Sequence, residues 1–313
     1  MPLSTETVTL AFELLLGRKP ESQATIDGHA KHPDALSLGK SIMDSPEFKA
    51  RSFQKGFANS KWVSTEVLDR YTMWVDLHDR YVSYGCLNNN WEPEETGFFK
   101  SRLRSGDTVL DIGANIGWFS LVAAKEIGER GQVHAFEPRP ETARRLKQTI
   151  AQNSLRDVVN VWEFALSDQS DTLRLQWANN TENPGGSHIG GRAQEHFDAA
   201  TSANVLACRL DDLLPQVAPD IVKIDVEGAE PRALYGARNA LKRKHPVILS
   251  ELFPAQLASV SGSSAAAFIV QMEELGYGCY ELQKGQPGRR LKDFPADCKR
   301  ELTSVVFEWR SIP

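Results

Sequence analysis

Apolar positions recur at helical spacing near the start of the chain, where Val8, Phe12, Leu15 and Leu16 align before Gly17 stops the pattern and Arg18-Lys19-Pro20 follows. A second helix is predicted over Ala35–Met43, ending before Ser45-Pro46-Glu47-Phe48. Residues 51–104 are transitional and rich in aromatics (Trp62, Tyr71, Trp74, Tyr81, Tyr84, Trp91). Alternation around Arg80-Tyr81-Val82-Ser83-Tyr84 predicts a strand or hairpin, turning at Leu87-Asn88-Asn89-Asn90. From Asp107 the pattern switches to strands at 107–111, 132–137, 158–164, 219–226 and 246–252, with helices near 116–128, 139–153 and 229–243. That β-α-β-α rhythm calls for a mostly parallel sheet covered on both faces. Two further strands, 277–282 and 303–310, joined by a connection containing Gly285, Pro287 and Gly288, predict an antiparallel end to the sheet.

Composition narrows the class. With 313 residues and 41% hydrophobic content, the chain has material for about two domains and a real core. The balance of 36 basic against 41 acidic residues gives −5, so no global field favours nucleic acid. Cys86, Cys208, Cys279 and Cys298 are scattered without a C-x-x-C pair, which predicts reduced thiols and a cytoplasmic protein rather than a disulfide frame or zinc site. The N-terminus lacks the basic start and apolar core of a signal peptide. The longest uncharged run, Leu252–Met272, is interrupted by Pro254, Ser259 and Gly262 and reads as a loop running into a helix, with no membrane span.

The richest chemistry lies at three strand ends. Val109-Leu110-Asp111-Ile112 reads as a buried strand broken by Gly113 and Gly117 into a tight turn before a helix, which leaves free backbone N–H groups beside a helix dipole. Asp111 disfavours a pyrophosphate there and favours a ligand with a cationic, amine-bearing end. Glu137 closes the next strand, 24 residues after Gly113, where an acid can accept both ribose hydroxyls of a nucleoside ligand. The turn is not G-x-G-x-x-G, so a nicotinamide cofactor is disfavoured. In Ile221-Val222-Lys223-Ile224-Asp225-Val226-Glu227, period-two geometry sets Lys223 and Asp225 on one face with Glu227 beyond the strand end. Such charges in a buried parallel strand are costly unless paired or facing a cleft. Glu251, ending the following strand, would lie beside them.

Asp111-Ile-Gly-Ala-Asn-Ile-Gly117, Phe136-Glu137-Pro138, Ala165-Leu-Ser-Asp168, Lys223-Ile-Asp-Val-Glu-Gly-Ala-Glu230 and Val247-Ile-Leu-Ser-Glu251 together strongly resemble the FkbM-type methyltransferases, over about residues 75–285. Trp91-Glu92-Pro93 is similar to that family's lead-in. The resemblance implies a class I S-adenosylmethionine-dependent fold, α/β and Rossmann-like with an antiparallel final strand, and methyl transfer, usually to oxygen. One departure stands out: many members carry a His after the position of Glu251, where this chain has Leu252-Phe253-Pro254. The Leu-Leu-Gly-Arg-x-Pro and Ser-Pro-Glu-Phe pattern resembles a small helical domain of unknown function found in many bacterial, often glycan-associated, proteins. The predicted division is a helical accessory domain over 1–60, suited to homodimerisation or protein docking, and a methyltransferase domain over 61–313 with its lead-in at 61–104.

The residue reading and the resemblance assign the same roles. Asp111 would hold the donor's ammonium, N–H groups near Asn115 to Gly117 its carboxylate, and Glu137 its ribose, while Phe164, Ala165 and Leu166 border adenine. Gly113 and Glu92 complete the cofactor set. Asp225 is the predicted base, tuned by Lys223, with Glu227 and Glu251 positioning acceptor hydroxyls. A rival has Asp225, Glu227 and Glu251 bind Mg2+ to activate the hydroxyl. The loop 179–188 suits a lid, with His188 a second candidate base, whereas Leu210-Asp211-Asp212-Leu213 reads as a structural helix. The expected acceptor is a hydroxyl of a sugar, glycan or related small molecule. Alternatives are a polyketide, lipid or other metabolite, or a nucleoside-binding scaffold without catalysis.

Overall fold

The computed structural model of the chain describes residues 2–48, 61–79, 81–177, 188–189, 202–292 and 303–309. At the N-terminus, α1 (Thr5–Leu16), α2 (Gln23–His29) and α3 (Ala35–Asp44) each begin at a side-chain cap, from Ser4, Ser22 and Asp34 respectively. Val8, Phe12, Leu16, Leu38 and Ile42 form their shared core. Arg18 joins both of its ends, donating through Nε and Nη2 to the Glu47 carboxylate at 2.7 Å. That bidentate pair is the physical link between the Gly-Arg-x-Pro and Ser-Pro-Glu-Phe motifs.

The lead-in differs from its sequence reading. Its strands are β1 (Trp62–Val67) and β2 (Tyr71–Asp76), an antiparallel hairpin, and the alternating stretch after Tyr81 is helix α4 (Val82–Leu87). The Asp79 carboxylate explains the switch, because it accepts N–H bonds from Tyr81 and Ser83 and so starts a helical turn. Helix α5 (Pro93–Arg102) follows, with Pro93 in its first turn.

Among the described residues the central sheet has eight strands. In sequence they are β3 (Thr108–Ile112), β4 (Gln132–Phe136), β5 (Val159–Trp162), β10 (Ile221–Ile224), β11 (Val247–Leu252), β12 (Tyr277–Gln283), β13 (Gln286–Leu291) and β14 (Thr303–Trp309). Their order across the sheet is β13-β12-β14-β11-β10-β3-β4-β5. Strands β5, β4, β3, β10 and β11 run parallel, and β14, β12 and β13 add antiparallel pairs. This is the α/β, mostly parallel Rossmann-like sheet with an antiparallel end that was anticipated from the sequence. The predicted connection through Pro287 and Gly288 is itself edge strand β13, where a proline costs no central ladder bond.

Helices α6 (Trp118–Ile127) and α7 (Pro140–Gln152) cover one face. Helices α9 (Glu230–Gly236), α10 (Arg238–Lys244) and α12 (Ala265–Glu274) cover the other. Helix α8 (Leu210–Leu213) is structural, its Asp211 accepting the N–H groups of Asn239 and Ala240. The hairpin packs on α7: Thr149 and Asn153 accept from the N–H groups of Trp74 and Thr72, and Arg145 lies over the rings of both Trp62 and Trp74. After β11, the segment read as a loop forms α11 (Pro254–Gln256) and a π-helical turn over Leu257–Ser261.

A second sheet, ordered β6-β9-β7-β8, comprises β6 (Ala165–Leu166), β7 (Asp171–Gln176), β8 (His188–Ile189) and β9 (Ser202–Cys208). Its inner face carries Leu173, Leu175, Ile189 and Val205. The proposed lid at 179–188 falls almost wholly outside the described residues, as does the His188 side chain. No helix among the described residues is long and apolar enough to cross a membrane.

Candidate active site

A cleft opens at the carboxyl ends of the parallel strands, where ligands bind in open α/β sheets. Its floor is the 113–117 turn and the strand ends of β4 and β10. Its walls are Trp91 and Glu92 of the lead-in, Phe164 to Leu166, and Leu175 and Ile189 of the second sheet.

Strand periodicity sets the charged groups. In β3, Leu110 and Ile112 point into the core beneath α9 and α10, so Asp111 points to the opposite face, under α6. It is only 1% exposed and accepts from Ser120 Oγ at 2.5 Å. Asp111 therefore belongs to the strand rather than to the turn and lies below the cleft lining. Burial lifts its pKa to about 6, against the opposing pull of Ser120 and Lys223. Lys223 sits in register with Asp111 on the adjacent strand.

The Lys223 ammonium stands 3.4 Å from Asp225 and 4.8 Å from the centre of the Phe119 ring. Burial opposes its charge, but Asp225, Glu92, Glu251 and Asp111 outweigh that cost and hold the amine protonated. Oxygens of Glu92, Asp225 and Glu251 lie within 4.8 Å of one another. Burial first, then the Asp225 charge, pushes Glu251 up to about 9. Burial raises Glu92 to about 7 against the pull of Lys223. Glu92 Oε2 is buried with no hydrogen-bond partner among the described residues, which leaves an acceptor free to take a donor.

Three carboxylates converging on one point form a donor set of the kind Mg2+ uses. This set differs from the one anticipated, since Glu92 takes the place of Glu227. It also already contains the Lys223 ammonium, which supplies positive charge at the same point and fits a divalent ion poorly.

Glu227 instead pairs with Gln256, whose Nε2 donates to Glu227 Oε2. Burial and the Asp225 charge raise Glu227 to about 7. Glu230 braces the loop from below, its Oε1 accepting from the N–H groups of Val226 and Gly228 at 3.0 and 3.3 Å. Glu137 accepts from the N–H of Asn115 at 2.9 Å and of Arg139 at 2.8 Å, one on each oxygen. The N–H groups of Gly113 and Ala114 both reach the Phe136 carbonyl, which pins the turn to β4. Thr96 bridges the lead-in to α6, accepting from Trp118 Nε1 and donating to the Trp91 carbonyl.

Lys223, Asp225, Glu227, Glu251 and Glu92 thus share one cleft with Gly113, Asn115, Gly117, Glu137 and Ala165. Sequence reasoning missed Gln256, Ser120 and Thr96, which act through other side chains and carry no motif of their own. Glu230 was visible as the last residue of the Lys223–Glu230 motif, but its role in shaping the loop was not.

The family model for the methyltransferase FkbM domain matches residues 111–279, more than half of the chain. Methyltransferase SdnD of Sordaria araneosa is 30% identical over 164 residues, 44% of this chain and 62% of that protein. The 31-O-demethyl-FK506 methyltransferase FkbM of Streptomyces tacrolimicus is 28% identical over 164 residues, again 44% and 62%. Hexuronic acid methyltransferase AglP of Haloferax volcanii is 28% identical over 148 residues, 46% of this chain and 55% of that protein. The chain thus spans about three fifths of the length of these relatives. A crystal structure of methyltransferase FkbM from Methylobacillus flagellatus aligns at a TM-score of 0.44 with 14% identity, covering 95% of this chain and 58% of that one.

Proposed function

The chain belongs to the FkbM methyltransferase family, and from that premise we propose that it moves the methyl group of S-adenosylmethionine to a hydroxyl of a sugar, a glycan or a related small molecule. The observation that carries this reading is the Lys223–Asp225 pair, set at a strand end between the acids Glu92 and Glu251 and beside the 113–117 turn.

The residues fit the donor. Glu137 holds one N–H on each oxygen and keeps lone pairs for two ribose hydroxyls. Phe164, Ala165 and Leu166 border the adenine, and the first turn of α6 offers N–H groups and a dipole end to the methionine carboxylate. The unpartnered Glu92 oxygen takes the ammonium, with Asp111 adding negative field from beneath. S-adenosylmethionine supplies an electrophilic methyl on a sulfonium.

With the donor bound, Asp225 would accept the proton of the acceptor hydroxyl as the hydroxyl oxygen takes the methyl, and the electron pair of the broken carbon–sulfur bond would stay on the donor's sulfur. Lys223 holds Asp225 in place and stabilises negative charge developing beside it. Glu251, raised to about 9, carries a proton at neutral pH and can donate to an acceptor oxygen, while Glu227 accepts from a hydroxyl. No step is assigned to a metal, because Lys223 fills that electrostatic role.

A cleft this rich in hydrogen-bonding acids suits a polyhydroxylated acceptor, and the relative named for hexuronic acid supports a sugar. The relative named for an FK506 derivative keeps a secondary metabolite as the competing outcome. The test is transfer of labelled methyl to glycan and lipid fractions of a cell extract, alongside calorimetric titration of the donor and of NAD. Label in the glycan fraction supports the proposal. Binding of the donor without any transfer would favour a scaffold, and binding of NAD alone would overturn the reading.

A further inference from the structure

The loop that carries Glu227 is built with unusual care. Glu227 itself has a left-handed backbone, φ 54°, a conformation that costs a non-glycine residue energy and persists only where its surroundings impose it. Glycine follows at 228 with φ 98°, and a Cβ there would lie 2.5 Å from the carbonyl oxygen of Gln256. The loop is therefore pressed directly against the residue that opens the π-helical turn. Glu230 clamps the N–H groups on both sides of Glu227. From the other side, Gln256 donates its amide to Glu227 Oε2. Gln256 does not line the cleft, whereas Glu227 does. No described group donates to the second carboxylate oxygen, Oε1.

We propose that Gln256 is a positioning residue that fixes the Glu227 carboxylate by one oxygen and leaves the other to accept a second hydroxyl of the acceptor, adjacent to the one that Asp225 deprotonates. This rests on the methyl-transfer reading of the same cleft and narrows its substrate class to acceptors with neighbouring hydroxyls, such as a hexopyranoside. Free in solution, a glutamate side chain samples several rotamers, and tying one oxygen removes most of that freedom before the acceptor arrives. The π-helical turn serves the same end, because it begins immediately after Gln256 and sets the direction from which its amide approaches.

The experiment measures binding on the full chain loaded with S-adenosylhomocysteine and turnover on the full chain supplied with S-adenosylmethionine, with a methyl hexopyranoside as probe and its monodeoxy analogues for comparison. Wild type, Gln256→Leu and the exchange Glu227→Gln with Gln256→Glu are compared, since the exchange keeps an amide–carboxylate bond between the two positions. Gln256→Leu should weaken the hexopyranoside about tenfold, the scale of one hydrogen bond to a charged group, and raise acceptor KM more than it lowers kcat. Affinity for S-adenosylhomocysteine should stay within about twofold, and the exchange should recover most of the loss.

Equal hexopyranoside binding by wild type and Gln256→Leu overturns the proposal, as does a wild type that ignores the hexopyranoside or binds every monodeoxy analogue equally well. A lowered melting temperature with unchanged KM would assign Gln256 a structural role only. Failure of the wild type to bind S-adenosylhomocysteine strikes instead at the methyl-transfer reading itself.

Discussion

Gly113 backs directly onto Asp225: a Cβ built on Gly113 would stand 1.9 Å from the Asp225 carbonyl oxygen. The turn proposed to cradle the donor and the strand end proposed to carry the base are thus in backbone contact, with no side chain between them. The Asp225 N–H donates to the Ile112 carbonyl at 3.0 Å and fastens the same junction. The spacing between the proposed donor turn and the proposed base is set here, at the level of the main chain.

Gly113→Ala should therefore damage both functions at once. Its φ of 82° is already unfavourable for an L side chain, and the clash forces β3 and β10 apart at their ends. We expect a melting temperature several degrees lower, together with at least tenfold weaker donor binding, measured by thermal unfolding and calorimetry. Unchanged donor affinity in a folded Gly113→Ala protein would contradict the close approach.

Asp225→Asn should cut methyl transfer at least about a hundredfold, within the range that general-base catalysis contributes. Donor affinity should change little, because Glu137 and Glu92 remain in place. Transfer near the wild-type rate would remove Asp225 from the chemistry.

Removing the Glu137 side chain with Glu137→Ala should weaken the donor at least about tenfold by deleting the ribose acceptor. It also strands the N–H groups of Asn115 and Arg139, so stability should fall as well. Comparing S-adenosylmethionine with its 2′- and 3′-deoxy forms would locate the effect: the variant should no longer distinguish them.

Burial raises Glu92, Glu137, Glu227 and Glu230 to about 7 and Glu251 to about 9, from an ordinary value of 4.5. Between pH 4.5 and those values the folded chain binds more protons than the unfolded one, so stability falls as pH rises. The ligand-free protein should melt at a lower temperature at pH 8 than at pH 6. Glu251→Gln, which cannot ionise, should raise the midpoint at pH 8 and flatten the slope. A midpoint that climbs with pH would contradict this arrangement of buried acids.

Much of the sheet was legible because its strands are apolar runs ended by glycine or charge, as in Val109–Gly113 and Ile221–Asp225. The segment after Tyr81 was not, because its alternation looks like a strand while the deciding signal, the Asp79 carboxylate, lies outside it. Asp111 was found, but its direction was not. Only the strand register, with Lys223 beside it and Ser120 above, places it beneath the cleft. The trio of Glu92, Asp225 and Glu251 joins residues from three separate elements, and no local spacing could have put Glu92 in Glu227's place. Trp62 and Trp74 of the aromatic lead-in stack on Arg145 outside the cleft lining, which an aromatic count alone cannot distinguish from a ligand platform.

Among the described residues the second sheet shares no ladder with the central one, yet Leu175 and Ile189 from it form part of the cleft wall. A change of residue at those two positions alters the shape offered to a ligand without disturbing a hydrogen bond of the β3–β10 framework. The cleft wall and the framework beneath it are in this sense separately mutable, so a lineage could reshape the one while inheriting the other whole.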